Sequence, residues 1–266
     1  TTTMLLAIDC GNTNTVFAVY EDLVCRASWR TSTNNQRTAD EYAVWLQQLM
    51  SLEGLTLQNI DDVAVSTVVP DSLFNLKALA AKYFDVNALV VGAHGVDPGI
   101  DIRIDHPQQA GADRIADAVG AHDRYAGPLV VIDFGTATTF DVIEADGGYA
   151  GGIIAPGINL SLDALYRSAA QLPRIAVKAP RVSEGDNTPV KVIGRDTISA
   201  MHNGIFWGYI GLIEGLVSRI KAEYGTDMRV IGTGGLAALF SDCTDAIDQV
   251  DEDLTLHGLV LIHRLN

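Results

Sequence analysis

Two stretches of the chain carry the same chemistry in the same order: Asp9-Cys10-Gly11-Asn12-Thr13-Asn14-Thr15, and Asp133-Phe134-Gly135-Thr136-Ala137-Thr138-Thr139. Each follows an apolar run, Leu5 to Ile8 or Leu129 to Ile132, and leads into another, Val16 to Tyr20 or Phe140 to Ile143. Each therefore reads as strand, tight polar turn, strand. Glycine at the bend lets a ligand approach the backbone, while Thr, Asn and amide groups offer hydrogen bonds to phosphate oxygens. The aspartate at the strand end can hold a hydrated cation or orient a nucleophile. One copy alone reads equally well as a hairpin with a polar tip. Two copies with the aspartate in the same place favour a pair of phosphate grips, the equipment of a nucleotide phosphotransferase.

Other chemistry is sparser. Asp113, between Ala112 and Arg114, reads on its own as a helix-terminus carboxylate or half of a surface ion pair. Arg103 and Arg114 read as solvated charges or as a clamp for a carboxylate substrate. Thr233-Gly234-Gly235-Leu236 is a turn whose amides could meet an adenosine or phosphate, or an ordinary strand-to-helix turn. No Gly-Lys-Ser/Thr follows either hairpin, so neither is a P-loop. The six histidines form no pair with zinc-site spacing, and no G-x-S-x-G element supports a serine nucleophile.

The elements that must position these groups follow from apolar periodicity. The first half reads β-β-β-α-β-α-β: the hairpin, a strand over Ala27 to Arg30, a helix from Thr38, a strand over Val63 to Val69, a helix over Pro70 to Phe84 and a short strand over Ala88 to Val91. A loop from Gly92 to Pro107 leads to a helix that begins around Gln109 to Ile115 and ends near Tyr125 to Pro128. The second half repeats strand, turn, strand and adds a strand over Tyr149 to Ile154, a helix from Pro156-Gly157 to about Ala170 and a polar loop over Val182 to Pro189. A long helix over Thr197 to Tyr224 and a strand over Met228 to Gly232 follow. Gly204, Gly208, Gly211 and Gly215 on that long helix suit close approach by another helix, of the same chain or of a second subunit.

Length and composition bound the function. At 266 residues with 48% apolar residues, the chain can bury two cores, and the doubled turn favours two domains, residues 1–126 and 127–266. A formal net charge of −15 repels nucleic acid, yet a small anionic substrate with its metal remains compatible, because local groups set the potential in a pocket. Three cysteines without a C-x-x-C pair suit a reducing compartment. No uninterrupted apolar run approaches the roughly 20 residues of a membrane span. The opening residues have neither the basic region nor the apolar length of a signal peptide, so a cytoplasmic location of bacterial type, without membrane association, is expected.

Taken together, Asp9-x-Gly11-Asn12-Thr13, Gly111-Ala112-Asp113-Arg114, Asp133-Phe134-Gly135-Thr136-Ala137-Thr138-Thr139, Gly151-Gly152-Ile153-Ile154-x-Pro156-Gly157 and Thr233-Gly234-Gly235 closely resemble type III pantothenate kinase, in order from about Leu5 to the C-terminal helix. The resemblance implies an α/β fold of duplicated ribonuclease-H-like, actin-like ATPase domains with ATP in a central cleft. It implies transfer of the ATP γ-phosphoryl group to the hydroxyl of pantothenate, the first step towards coenzyme A, by a homodimer that uses a divalent cation such as Mg2+ and a monovalent cation, K+ or NH4+. Carried onto this chain, Asp9, Cys10, Gly11, Asn12, Thr13, Asn14, Thr15 and Val16 would form the phosphate loop, with Asp9 placing magnesium and Thr136 touching ATP. Asp113 would be the general base, Asp133 would ligate potassium, and Ile104, Gly111, Ala112, Asp113, Arg114 and Thr197 would contact pantothenate. Two departures stand out: Ile104 occupies a position where the family commonly has an aromatic residue, and the segment Ser183 to Pro189 is longer than usual. Other readings are another small-molecule kinase of the superfamily or a non-catalytic accessory transcription regulator.

Overall fold

The structure, a computed structural model, describes residues 3–168, 172–179 and 191–266. The expected end of a helix near Ala170 and the long segment Ser183 to Pro189 lie outside the described residues. By internal contacts the chain divides into two units, Thr1–Ala126 with Ile143–Gly151 and Asp253–Asn266, and Gly127–Val142 with Gly152–Glu252. This division also breaks the chain after Ala126, but unlike a cut into residues 1–126 and 127–266 it returns the last helix to the first unit.

In the first unit β1 (Met4–Cys10), β2 (Asn14–Glu21) and β3 (Val24–Ser32) are followed by α1 (Ala39–Leu52), β4 (Asp62–Thr67), α2 (Pro70–Leu79), β5 (Leu89–Val90) and α3 (Ala112–Arg124). The sheet runs in the order β3-β2-β1-β4-β5. Antiparallel pairing joins the first three strands, and parallel pairing adds β4 and β5. The central strands are apolar on both sides because both faces are covered. Leu6, Ile8, Phe17, Val19, Val63 and Val65 meet Tyr42, Leu46 and Met50 of α1 and Leu76 and Leu79 of α2. Leu5, Ala7, Ala18, Tyr20 and Ala64 meet α3 and the last helix. Thr38 starts α1 with a capping box, its N–H donating to Glu41 Oε2 (2.8 Å) and its hydroxyl accepting from the Glu41 N–H (3.3 Å). The helix expected to Phe84 is α-helical only to Leu79, and a wider π turn over Ala80–Phe84 closes it at Asp85, in the left-handed region.

The second unit repeats the plan. β6 (Leu129–Phe134), β7 (Ala137–Ile143) and β8 (Tyr149–Pro156), whose first residues Tyr149 to Gly151 count with the first unit, precede α4 (Ile158–Ser168), α5 (Thr197–Tyr224), β9 (Arg229–Thr233), α6 (Ala237–Ser241) and β10 (Gln249–Val250); α7 (Leu254–Leu265) then ends the chain in the first unit. The second sheet runs β10-β9-β6-β7-β8. Read from its other edge, this is the first sheet's order with β6 standing for β1. The sequence reading lacks β10, a two-residue strand too short to show a period. The core of this unit joins Val130, Ile132, Phe134 and Phe140 to Phe206, Ile210, Ile213 and Val217 of α5, with Phe240 stacked between Phe134 and Phe206 at centroid distances of 5.2 and 5.6 Å.

The first unit recovers α7 through a close helix crossing. A Cβ on Gly120 of α3 would lie 2.5 Å from the Leu254 carbonyl oxygen, and one on Gly258 of α7 would collide with the Ala116 carbonyl. The backbones touch where the glycines face, and the small Ala7, Ala18 and Ala64 side chains let this pair sit close on the sheet. Gly258→Ala should therefore destabilise the protein by about 1–3 kcal/mol, the range for overpacking a tight interior. Urea unfolding checks this; an unchanged midpoint and slope would contradict the crossing.

Candidate active site

Side chains alternate along β1, so Asp9 continues the face of Leu5 and Ala7, the face that α3 covers. It stands at the strand's C-terminal end with only part of its surface in solvent. Register places it opposite Val16 of β2 and Ser66 of β4, and Val16 opposite Arg30 of β3. Ser66, Asp9, Val16 and Arg30 thus form one row across one face of the sheet. Burial, then the charge of Asp113 at the start of α3, push the Asp9 carboxyl up to about 7; the Ser66 hydroxyl and Arg30 oppose that shift.

The turn after Asp9 is braced from behind. The Gly11 N–H donates to the Asn14 carbonyl (3.0 Å), leaving Asn12, Thr13 and Asn14 exposed at the tip. Cys10 and Thr15 are buried, pair with each other in the hairpin and turn to the opposite face, where the Thr15 hydroxyl lies 3.4 Å from Cys10 Sγ. Thr33, just past β3, grips both limbs: its hydroxyl donates to the Gly11 carbonyl (2.6 Å) and lies 2.9 Å from the Thr15 hydroxyl, while its N–H donates to the Thr13 carbonyl (2.9 Å). Cys10 and Thr15 therefore hold the turn's shape through their side chains, and the exposed groups of residues 12–14 face solvent.

The loop before α3 is pinned like an added strand. The Tyr149 N–H donates to the Asp101 carbonyl and the Arg103 N–H to the Tyr149 carbonyl, each at 2.8 Å. The Arg103 guanidinium binds Asp101, Glu144 and Asp146, so it serves as a latch on this loop. Ile104 is half-buried beside Gly151, where a Cβ would approach Ile104 Cγ2 to 3.3 Å and φ is +111°. Gly111 is required for a different reason: a Cβ there would lie 2.6 Å from Asp113 Oδ1. With no Cβ at Gly111, the Asp113 carboxylate folds back over the helix start and accepts from the Arg114 N–H at 2.8 Å. Burial raises the Asp113 pKa, and that hydrogen bond and the Arg114 charge partly offset the shift. The Arg114 guanidinium stands 5.7 Å over the Tyr149 ring.

Within the second unit, Asp133 ends β6 as Asp9 ends β1. A Cβ on Gly234 would lie 2.5 Å from Asp133 Oδ1 and 2.9 Å from the Phe134 carbonyl oxygen; one on Gly135 would lie 3.3 Å from Asp133 Oδ2 and 3.4 Å from the Ala137 carbonyl oxygen. The Thr233-Gly234-Gly235 turn thus packs against the second hairpin, and Gly234, at φ +84°, has a structural reason to be glycine. Thr136 is exposed at the hairpin tip, and its carbonyl accepts from the Gly157 N–H at 3.1 Å. Thr197 is exposed at the first position of α5, after the capping Asp196.

The first unit therefore brings Asp9, the turn after it, and Ile104 with Gly111 to Arg114 into one body, while Asp133, Thr136 and Thr197 belong to the other. Sequence reasoning missed Arg30, Thr33 and Tyr149 as parts of the site. Arg30 and Thr33 sit at the end of a strand that it did find, but register is needed to see what they face; Tyr149 was found only as a strand residue. Among the described residues no three His, Cys, Asp or Glu are grouped so that they could hold a metal ion, and no helix is long and apolar enough to cross a membrane.

The chain is 57% identical to the type III pantothenate kinase of Paramagnetospirillum magneticum over 99% of this chain and 98% of that one. It is also 57% identical to the type III pantothenate kinase of Rhodospirillum rubrum, over 99% of each chain. Among solved structures it resembles the activator of 2-hydroxyisocaproyl-CoA dehydratase from Clostridium difficile with bound ADPNP, at a TM-score of 0.55 and 12% identity over 97% of this chain and 92% of that one. That likeness concerns the fold alone, the duplicated α/β fold of actin-like ATPases and sugar kinases. The type III pantothenate kinase family matches residues 5–219, and the chain belongs to that family of kinases, which use ATP and a divalent cation to phosphorylate pantothenate.

Proposed function

We propose that the chain phosphorylates pantothenate by direct in-line transfer, with Asp113 as the general base and Asp9 as the anchor for a divalent cation. The observation that carries this reading is the pairing of Asp9 and Asp113 on one face of the first sheet, each with its pKa raised by burial. The oxygen of the pantothenate hydroxyl bonds to the γ-phosphorus as the bond from that phosphorus to the ADP oxygen breaks. ADP keeps the electron pair, and the hydroxyl proton passes to Asp113. A raised carboxylate pKa makes Asp113 a better proton acceptor than an exposed aspartate. Arg114, steadied on the Tyr149 ring, is suited to the pantothenate carboxylate. Ile104, Gly111 and Ala112 complete the first unit's pantothenate contacts in this reading, and the turn from Asp9 to Val16 holds nucleotide phosphates; on the second unit, Thr136 is assigned to ATP and Thr197 to pantothenate by the family resemblance alone.

The chemistry of the donors supports both cations. A buried Asp9 beside a second carboxylate fits a magnesium ion held through one protein carboxylate and substrate phosphates, and such an ion would neutralise charge on the transferring group. Asp133, near the carbonyl oxygens of Phe134 and Ala137 where the two glycine turns pack, has the oxygen donor types that suit a hard monovalent cation, K+ or NH4+. A homodimer through α5 is supported by Gly204, Gly208 and Gly211, where a Cβ would meet nothing within 4 Å among the described residues. This observation disfavours helix packing within the chain as the reason for these glycines. A cytoplasmic location is supported by three free cysteines.

Asp113→Asn should lower kcat by about 10²–10⁴, the usual worth of a positioned base, with ATP binding nearly intact. Coupled ADP release and nucleotide titration measure the two, and near-normal turnover would sink the assignment. Removing potassium and ammonium should suppress activity, and Asp133→Ala should abolish the response to them; equal rates in sodium alone would refute the cation site. In sedimentation the protein should run at twice 28.4 kDa, whereas a species of one 28.4 kDa chain would exclude the dimer.

A further inference from the structure

The arginines of the first unit are nearly all engaged. Arg26 pairs with Glu21 at 2.6 Å, Arg103 binds three carboxylates and Arg124 reaches Asp253 at 2.8 Å. Arg37 donates to the Thr31 hydroxyl at 2.7 Å and lies over the Tyr42 and Trp45 rings. Two are exceptions, Arg30 and Arg264: both are exposed, and among the described residues neither guanidinium makes a hydrogen bond or an ion pair. Arg264 lies in the last turn of α7, where a cation suits the helix dipole. Arg30, on a strand of a chain with 33 acidic against 18 basic residues, needs another reason.

Register supplies one. Arg30 lies opposite Val16, and Val16 opposite Asp9, so Arg30 and Asp9 project from the same face two strands apart, about 10 Å between backbones at the usual strand spacing. The neighbouring Trp29 packs into the core on the α1 side, which independently turns Arg30 to the other face, the one covered by α3. Val16 between them is half-buried and brings no competing hydrogen-bonding group. Arg30 is also the one cation beyond Arg114 whose charge bears on Asp9 or Asp113 in the balance of effects at those two carboxyls.

We infer that Arg30 is a catalytic residue that binds the phosphoryl group in transfer, from the β3 side of the row that Asp9 begins. The inference rests on the reading of Asp9 and Asp113 given above and adds a group that the sequence motifs do not contain. A guanidinium presents parallel N–H donors that match two phosphoryl oxygens, and it stays protonated throughout. As the γ-phosphorus leaves the ADP oxygen and joins the hydroxyl oxygen, the charge on its three peripheral oxygens must be held in place; Arg30 holds it and moves no proton.

The test uses the full chain with ATP, Mg2+ and pantothenate. Arg30→Ala should lower kcat by about 10²-fold or more, as expected for losing a donor to a developing charge, and change the KM for pantothenate only slightly. Millimolar guanidinium should restore much of the Arg30→Ala rate, Arg30→Lys should fall between Ala and the parent, and Arg26→Ala, on the same strand, should behave as the parent. Rescue separates a missing cation from a damaged fold. A normal kcat in Arg30→Ala, or a low one that guanidinium leaves unchanged, overturns the inference. Asp113→Asn is assayed alongside: normal turnover there with a slow, rescued Arg30→Ala enzyme would overturn the general base and support Arg30, and the converse would overturn Arg30 alone.

Discussion

Two half-buried carboxylates on one side of a sheet dominate this structure. Asp9 and Asp113 are each raised by burial, and Asp113 raises Asp9 further. Neither is placed there to stabilise the fold, because an aspartate whose pKa is raised in the folded chain favours unfolding as pH climbs through the range between its unfolded and folded values. In the proposed mechanism, a divalent cation and the phosphoryl group on the same face would offset this cost. Several packing features serve it: alanines at positions 7, 18 and 64 let α3 lie close, the glycine contact between α3 and α7 locks that helix, and Gly111 lets the Asp113 carboxylate fold back.

In the proposed reading, the two repeated sheets put one plan to two tasks. β1 and β6 occupy the same place in sheets of the same order, and each ends in an aspartate followed by a glycine turn. Around Asp9 the neighbours across the sheet are Ser66, Val16 and Arg30, side chains suited to a charged ligand with its own oxygens. Around Asp133 the neighbours are main-chain carbonyls and glycines, which suit an ion that takes its oxygens from the protein. The symmetry sets the architecture, and the departures from it set the chemistry.

Much of this was legible in the residue order. The hairpins, the first unit's strand and helix sequence, the α3 start at the Gly111 to Arg114 motif and the long α5 all follow from local periodicity and turn chemistry. Three features needed the third dimension. β2 and β3 pair with a register shift between Val19 and Tyr20, so the residue opposite Val16, and hence the facing of Arg30, cannot be counted off the sequence. Thr33 braces a turn 22 residues earlier through hydrogen bonds that leave no periodic trace. The return of α7 to the first unit depends on Gly120 and Gly258, 138 residues apart, meeting at a backbone contact that looks in the sequence like two unremarkable helix glycines.

The central claim is that Asp113 takes a proton while the phosphoryl group moves once, directly from nucleotide to pantothenate. The most direct measurement is the stereochemical course of transfer from ATP made chiral at the γ-phosphorus with oxygen isotopes. The account predicts inversion at phosphorus in the phosphopantothenate product. Retention would require an even number of transfers through a phosphorylated enzyme group, and would contradict Asp113 as a base acting in a single displacement.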